Sequence, residues 1–205
     1  MEKYLKYYFL EDYLFKEVSE NFRVNKCLTA EEFFAIVIWK RNASKTKIKD
    51  SLITSKQVVE GIGGITGKVY MNRNNRKRQV ELLRGVEQIG ISIASAILAV
   101  CYPKDFTIVD YRVCNSLSKE PFMDDPILKE KFPNGVSYTA VSSNVDTYLM
   151  YVDTCKEIAP KYGFKTVRDF DRMLFGMDFY DGKDGLLDLV GKYERKELEK
   201  ENLNR

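Results

Sequence analysis

The sequence predicts an all-α protein, and three observations support this prediction. Most segments between the glycine- and proline-containing turns repeat apolar side chains at the three-to-four-residue spacing of a helix. Some of these segments begin with a capping signal, as in Thr29-Ala30-Glu31-Glu32, where a glutamate follows a threonine by three positions. Segments with extended character are few and short, and they comprise residues 66–71 and 106–109.

In the first half of the chain we expect helices over residues 4–18, 33–39 and 79–86 and over a segment that starts at Gly90. A glycine cluster predicts a turn or loop after the second of them, and it consists of Gly61, Gly63, Gly64 and Gly67. The aromatic side chains near the N-terminus are expected in the core, and they are Tyr4, Tyr7, Tyr8, Phe9, Tyr13 and Phe15.

In the second half, a helix is expected to begin at Asp110, and residues 118–143 are expected to connect it to the next with one short helix at 126–132. Asn144 or Asp146 is predicted to cap a helix that extends to about residue 160. Thr166 is predicted to cap another, which extends to residue 175. A last helix ends in a charged tail, whose final residues we expect to be frayed or exposed to solvent.

The composition excludes several kinds of active site. The chain has no histidine, which excludes a nucleophile activated by an imidazole base and a zinc site with histidine ligands. No CxxC pair occurs among the cysteines, so we expect buried, reduced thiols rather than a thiolate metal site at Cys27, Cys101, Cys114 and Cys155. Catalysis must then depend on carboxylates, lysines, hydroxyls, amides or a bound divalent ion, and we assign no residue to a metal.

The sequence also predicts a cytoplasmic protein that is not bound to a membrane. The longest apolar run, residues 89–101, is shorter than the roughly 20 residues that span a bilayer. The N-terminal segment carries acids within its apolar stretch and has no small-residue cleavage site, so it does not resemble a signal peptide. The net charge of +3 permits nucleic-acid binding without requiring it.

The most informative segment, residues 82–98, predicts two helices joined by a tight turn at Gln88-Ile89-Gly90. Gly90 would let the backbone turn sharply and approach a ligand closely. The second helix begins there, and its free N–H groups and positive dipole end favour a phosphate. Such a turn would hold the DNA backbone without reading bases. Twelve residues after Leu98, Asp110 follows the apolar pair Ile108-Val109 and opens the next helix.

At these residues the sequence resembles the helix-hairpin-helix DNA glycosylases, the endonuclease III-like superfamily. Val86-Glu87-Gln88-Ile89-Gly90 matches the hairpin of that family, and Ile108-Val109-Asp110 matches its aspartate segment. The resemblance is best over residues 79–117. It implies a two-lobed helical fold in which residues 29–117 form the hairpin lobe, residues 1–28 pack with residues 118–205, and DNA binds between the lobes.

The resemblance also implies the chemistry and the partner. Asp110 would be the catalytic carboxylate, and Trp39 or Tyr111 could line the pocket for a flipped base. The expected DNA-binding residues are Gln88, Ile89, Gly90, Ser92, Asn42, Lys40, Arg41, Arg76 and Lys77. Ser92 stands where lyase-competent relatives have a lysine, so a monofunctional glycosylase is expected. It would act as a monomer on double-stranded DNA, with no cofactor except a monovalent cation that the hairpin could hold.

Two features depart from the family pattern and keep other functions open. Gln88 replaces the first hairpin glycine, and Glu87 replaces the usual proline and brings a carboxylate near the phosphate site. A non-catalytic DNA-binding protein would retain the hairpin and lack the pocket. A helical interaction module would use the same segment as a plain antiparallel helix pair, with Asp110 only as a helix cap and the basic residues as solvated surface.

Overall fold

The computed structural model of the chain describes residues 9–54, 61–183 and 185–203, with side chains up to residue 196. Within these ranges every regular element is a helix, which confirms the all-α prediction. The region from Leu10–Asp12 (α1) through the π-helical segment Tyr13–Val18 to Ser19–Asn25 (α2) is one continuous helical run.

The other helices of the first half alternate with short connections. They are Ala30–Arg41 (α3), Lys45–Thr54 (α4), Gly61–Met71 (α5), Arg76–Arg84 (α6) and Ile91–Cys101 (α7). The second half contains Tyr111–Leu117 (α8), Pro126–Lys131 (α9), Tyr138–Ser143 (α10), Val145–Ile158 (α11), Val167–Asp181 (α12) and Leu186–Leu203 (α13).

The predicted helix caps are confirmed. Thr29 Oγ1 accepts a hydrogen bond from the Glu32 amide at 3.2 Å, and the Glu32 carboxylate accepts one from the Thr29 amide at 2.9 Å. This reciprocal pair is the capping box that the sequence predicts at the start of α3. Asn144 and Thr166 each accept from the amide three residues on, which fixes the starts of α11 and α12.

The glycine-rich segment is a helix, so the prediction of a loop followed by a short extended piece is wrong. A Cβ atom added at Gly63 would lie 4.0 Å from the Leu28 carbonyl oxygen, and one added at Gly67 would lie 4.0 Å from Cys27 Cβ. Because these two positions have no side chain, α5 can lie close to residues 27 and 28. Thr66 is buried on α5, and its hydroxyl accepts a hydrogen bond from the Leu28 amide at 2.9 Å. Tertiary packing therefore outweighs the low helix propensity of glycine.

Two further predictions need correction. The connection over residues 118–143 contains two helices, α9 and α10, rather than one, because Ser137 accepts a hydrogen bond from the Ala140 amide and caps the second. Phe9 is 62% exposed and does not belong to the core, whereas Tyr13 is buried and Phe15 packs against the core. Tyr4, Tyr7 and Tyr8 lie outside the described residues.

The core is centred on α7, of which every residue except Ser92 is buried. This helix packs against α3 and α6, and α8 packs against α12. Cys101, Cys114 and Cys155 are buried as free thiols, as predicted, and Cys27 is half-buried. In the described part of the chain, no helix combines the length and the apolarity that crossing a membrane requires.

Candidate functional site

Residues 85–90 connect α6 to α7, and the turn depends on Gln88. Its φ of 70° lies in the left-handed region that favours glycine. Gly90 caps α7 with φ −79° and ψ 173°, an extended conformation open to any residue, and a side chain there would meet nothing within 4 Å. The expectation that Gly90 makes the sharp turn is therefore wrong. The left-handed position is Gln88.

No side chain caps the first turn of α7, and Gly90 at its start is exposed. Ile89 anchors the connection because its side chain is buried, while Glu87 and Gln88 are exposed. The Glu87 carbonyl accepts a hydrogen bond from Ser51 at 3.3 Å, which ties the connection to α4. The exposed Glu87 carboxylate lies beside Gln88, whose Nε2 donates to it at 3.4 Å.

Asp110 caps α8 and forms an ion pair with Lys40. Its Oδ1 accepts a hydrogen bond from the Arg112 amide at 3.0 Å, as an N-cap residue does. Its Oδ2 accepts from Lys40 Nζ at 2.7 Å, and the same ammonium donates to the Val109 carbonyl at 3.1 Å. The Lys40 side chain is only 8% exposed, whereas that of Asp110 is 29% exposed. The carboxylate therefore faces solvent while its partner is buried behind it.

The extended segment before Asp110 is held by the hydroxyl groups of four side chains. Ser95, on α7, accepts the Val109 amide at 3.1 Å, and Ser92 donates to the Val109 carbonyl at 3.5 Å. From α11, the hydroxyls of Tyr148 and Tyr151 donate to the carbonyls of Thr107 and Ile108 at 2.9 and 3.2 Å. These bonds satisfy a backbone that has no sheet partner, and they fix the position from which Asp110 projects.

Asp110 lies at the wall of a cavity of about 350 Å³. The cavity is lined by side chains from both of the sequence ranges that were expected to form separate lobes, namely Glu11, Trp39, Lys40, Ile108, Asp110, Val113, Arg168, Asp171, Arg172 and Phe175. Trp39, one of the two aromatic candidates, lines this cavity. Tyr111 is 54% exposed and is not among these residues.

The far wall of the cavity is a cluster of charges on α12. Arg168 pairs with Asp171 and with Glu11, the latter at 2.8 Å, and its guanidinium lies 5.2 Å from the ring centroid of Trp39. Arg172 Nε also reaches Glu11, at 3.1 Å. These contacts join the first helical run to α12 across the cavity.

Asp171 is the buried carboxyl of this cluster. Burial raises its pKa to about 6 from an ordinary value near 3.8, although the positive charges of Arg168 and Lys40 oppose the rise. The nearby carboxylate of Asp110 adds to the rise. The two aspartates at this cavity therefore lie in different environments, since Asp171 is 4% exposed and fully desolvated while Asp110 faces solvent.

Sequence reasoning missed Glu11, Arg168, Asp171, Arg172 and Phe175. The signal was present on α12, because positions 168, 171, 172 and 175 have the spacing of one helix face. A charged residue such as Asp171, between the apolar neighbours of an amphipathic helix, indicates a buried partner. The contact between Arg168 and Glu11 could not be predicted from the sequence, since the two residues are 157 positions apart.

The structure separates the expected DNA-binding residues into groups. Arg41 and Asn42 are exposed at the end of α3, and Asn42 accepts a hydrogen bond from Lys45 at 2.5 Å. Arg76 and Lys77 pair with acids of α11, Asp153 at 2.6 Å and Asp146 at 2.8 Å. The hydrogen bond with Asp153 raises the pKa of Arg76 above its ordinary value. Phosphate binding by these two residues would require the exchange of existing ion pairs.

Comparison with protein families, with curated proteins and with solved structures finds no match to this chain. The resemblance to the glycosylases thus depends on residues 79–117, and the function is inferred from those residues and from the chemistry of the cavity.

Proposed function

We propose that the protein is a DNA N-glycosylase that hydrolyses the bond between a damaged or mispaired base and its deoxyribose. The observation that carries the proposal is the Asp110 carboxylate, which is held at the wall of a cavity large enough for a base and next to an aromatic side chain, Trp39. The cavity volume of about 350 Å³ is at the lower end of the range of roughly 300–1,000 Å³ for small-molecule sites.

The chemistry suits a carboxylate in this position. Breaking the N-glycosidic bond builds positive charge on the sugar, as in glycoside hydrolysis. A fixed carboxylate stabilises that charge and can position or deprotonate an attacking water. The base must first be rotated out of the duplex, and Trp39 and Phe175 offer apolar surfaces against which it can pack.

Binding of the duplex would depend on the connection 85–90 and the exposed residues near it. The uncapped first turn of α7 favours a phosphate, because its amides and its dipole both attract negative charge. Glu87 is exposed, so its carboxylate is free to turn toward solvent instead of toward a phosphate. Arg41 and Asn42 extend the surface from the end of α3, and on the resemblance to the glycosylases Asn42 would enter the base stack.

Ser92 supports hydrolysis over covalent chemistry at the hairpin. Its hydroxyl cannot form an imine with a sugar, and it is engaged with the Val109 carbonyl. Without an imine at Ser92, base removal would leave an abasic site in an uncut strand, and that strand would break only in alkali.

One observation favours a second candidate, a non-catalytic DNA-binding protein. Both carboxylate oxygens of Asp110 already have structural partners, the Arg112 amide and the Lys40 ammonium. An aspartate with these two contacts would stabilise the fold even if the cavity never received a base.

The test is base release from a panel of duplexes that contain single lesions or mismatches, followed by hot alkali. Asp110→Asn is the diagnostic variant, because asparagine also caps helices and preserves the start of α8. Asp124→Asn is the control, since it removes an exposed carboxylate that pairs with Lys129.

Alkali-dependent breaks that vanish in Asp110→Asn and persist in Asp124→Asn would support the glycosylase. Salt-sensitive duplex binding without base release from any substrate would favour the non-catalytic protein. If the chain neither binds duplex nor releases a base, both DNA functions are excluded and the helical interaction module is left.

A further inference from the structure

A second cavity, of about 590 Å³, shares Arg168 with the candidate cavity. Its walls come from the first helical run, the connection after α7, the end of α11 with residues 159–165, and the first turn of α12. We call it the lysine groove, because Lys104, Lys156 and Lys165 line it. Its volume is within the range of roughly 300–1,000 Å³ for small-molecule sites, and the proposed glycosylase chemistry does not use it.

Part of the lysine groove is apolar and offers flat surfaces. The apolar lining consists of Phe15, Pro103, Ala159, Pro160, Phe164 and Val167. The ring of Phe15 already contacts a cation, since the Arg168 guanidinium lies 4.7 Å from its centroid. Phe164 is half-buried and Pro160 is exposed, so their rings are accessible to a ligand. Flat rings of this kind pack well against an aromatic ligand.

The lysines bring positive charge to the groove from three separate segments. Lys104 follows α7, Lys156 lies on α11 and Lys165 precedes α12. All three are exposed, and none forms an ion pair with an acid in the part of the chain that the structure describes. Like charges around one cavity repel one another, and a bound anion with several charges would replace this repulsion by attraction.

The first turn of α12 adds hydrogen-bond donors to the same groove. Thr166 accepts from the Asp169 amide at 3.0 Å, which leaves the amides of Val167 and Arg168 without an acceptor inside this helix of 15 residues. The two amides and the helix dipole favour an anion there. Asp169 is the one acid among the described residues of the lining. Its carboxylate accepts from the Thr166 hydroxyl at 2.6 Å and lies 3.8 Å from Arg172, so its charge is already compensated.

We propose that the lysine groove binds a nucleoside polyphosphate, with the phosphates among the lysines and the base against Phe164. A flat base suits the apolar lining, and two or more phosphates suit three lysines and the amides of α12. A fatty acid or another single carboxylate would satisfy only one of the cations. The bases of a DNA duplex are stacked inside the helix and cannot pack against Phe164. The proposal does not rest on the proposed function, because the described linings of the two cavities share only Arg168.

Calorimetric titration of the full chain tests whether both parts of the ligand are needed. ADP is titrated beside adenosine, which lacks the phosphates, and beside pyrophosphate, which lacks the ring. We expect ADP to bind without a divalent ion, and each of the two fragments to bind more weakly by about tenfold or more. Equal affinity for ADP and either fragment, or no binding of ADP, overturns the proposal.

Substitutions in the groove should lower the affinity for ADP in two separable ways. Lys156→Gln removes one charge and should weaken ADP binding by about tenfold while leaving the affinity for adenosine unchanged. Phe164→Leu keeps an apolar side chain without the flat ring, and should weaken ADP binding with little change for pyrophosphate. Lys161→Gln is the matched control, since Lys161 is exposed, pairs with Asp125 at 4.0 Å and is not among the lining residues. A loss in Lys161→Gln as large as that in Lys156→Gln would overturn the assignment to this groove.

Photo-crosslinking with 8-azido-ADP, followed by peptide mapping, locates the base without any variant. A label within residues 159–169 supports the proposal. A label on Trp39 or Phe175 would place the nucleotide in the candidate cavity and overturn it, as would a single-stranded trinucleotide that binds more tightly than ADP. Base release from the lesion panel is a separate measurement, so the glycosylase and the nucleotide site can fail independently.

Discussion

Asp171 is a carboxyl group whose burial disfavours its charged form. Burial raises its pKa to about 6, so the folded protein binds this proton more tightly than the unfolded chain, where the pKa is near 3.8. Its contribution to stability is therefore fully present below about pH 4 and is lost as the pH rises through about 6. The difference between these two pKa values corresponds to on the order of 3 kcal/mol.

We expect Asp171→Asn to flatten this part of the pH dependence. Asparagine does not titrate, so the stability of the variant relative to the wild type should improve between pH 4 and pH 7, by up to about 3 kcal/mol. Urea unfolding at several pH values measures the change. Asp169→Asn on the same helix is the control, because that side chain is exposed. Parallel curves for wild type and Asp171→Asn would contradict the prediction.

Asp110 should contribute to stability in two separable ways. Asp110→Ala removes the helix cap, which costs about 1 kcal/mol, and also leaves the buried Lys40 ammonium without its carboxylate. Asp110→Asn keeps an oxygen for the Arg112 amide and should cost less. Chemical denaturation of both variants at pH 7 tests this order. Equal losses would show that the cap contributes nothing measurable.

The two positions Gln88 and Gly90 in the connection between α6 and α7 should respond differently to substitution. Gln88→Gly should stabilise the protein by about 1 kcal/mol, because a left-handed backbone costs a residue with a side chain roughly that much. Gly90→Ala should be neutral or slightly stabilising, since its φ of −79° is ordinary and the space around it is open. Thermal unfolding of the two variants distinguishes the positions, and a destabilised Gln88→Gly would contradict the assignment.

The elements show which features a sequence can predict. The starts of α3, α11 and α12 followed from local hydrogen bonds between residues three positions apart, such as Thr29 and Glu32. Helix α5 was missed because its glycines are stabilised by contacts with residues 27 and 28, which lie far away in sequence. Hydrogen bonds between residues near in sequence can be predicted from the sequence, whereas close packing between distant segments cannot.

The candidate site likewise contains residues that the sequence identified and contacts that it could not predict. Asp110 was singled out because Ile108-Val109-Asp110 resembles the aspartate segment of the glycosylases. Lys40 was predicted as a surface cation, and its burial beside Asp110 is a contact across 70 positions. Glu11 and Arg168 were not predicted as site residues, since the sequence does not indicate that an acid and an arginine in separate helices form an ion pair.

At the scale of the whole molecule, the cavity depends on four distant parts of the chain, one of which is the segment around Asp110. The first helical run supplies Glu11, the end of α3 supplies Trp39 and Lys40, and α12 supplies Arg168 and Asp171. No one segment could form the cavity alone, so its shape reports the folding of the entire chain. Duplex binding, by contrast, should depend on surface charge near the connection 85–90 and the end of α3.

Binding of a duplex at this surface should depend on the salt concentration. If phosphates bind there, the logarithm of duplex affinity should fall linearly with the logarithm of salt concentration, because bound cations are released from the DNA. Arg41→Gln should weaken binding to all sequences and reduce the slope by about one, since Arg41 is exposed beside the cavity-lining α3 residues. Lys129→Gln, on α9 and paired with Asp124, should change neither the affinity nor the slope. Fluorescence anisotropy with a labelled duplex at several salt concentrations measures both. A slope that Arg41→Gln leaves intact would place the phosphate contacts elsewhere, and affinity without salt dependence would argue against DNA as the partner.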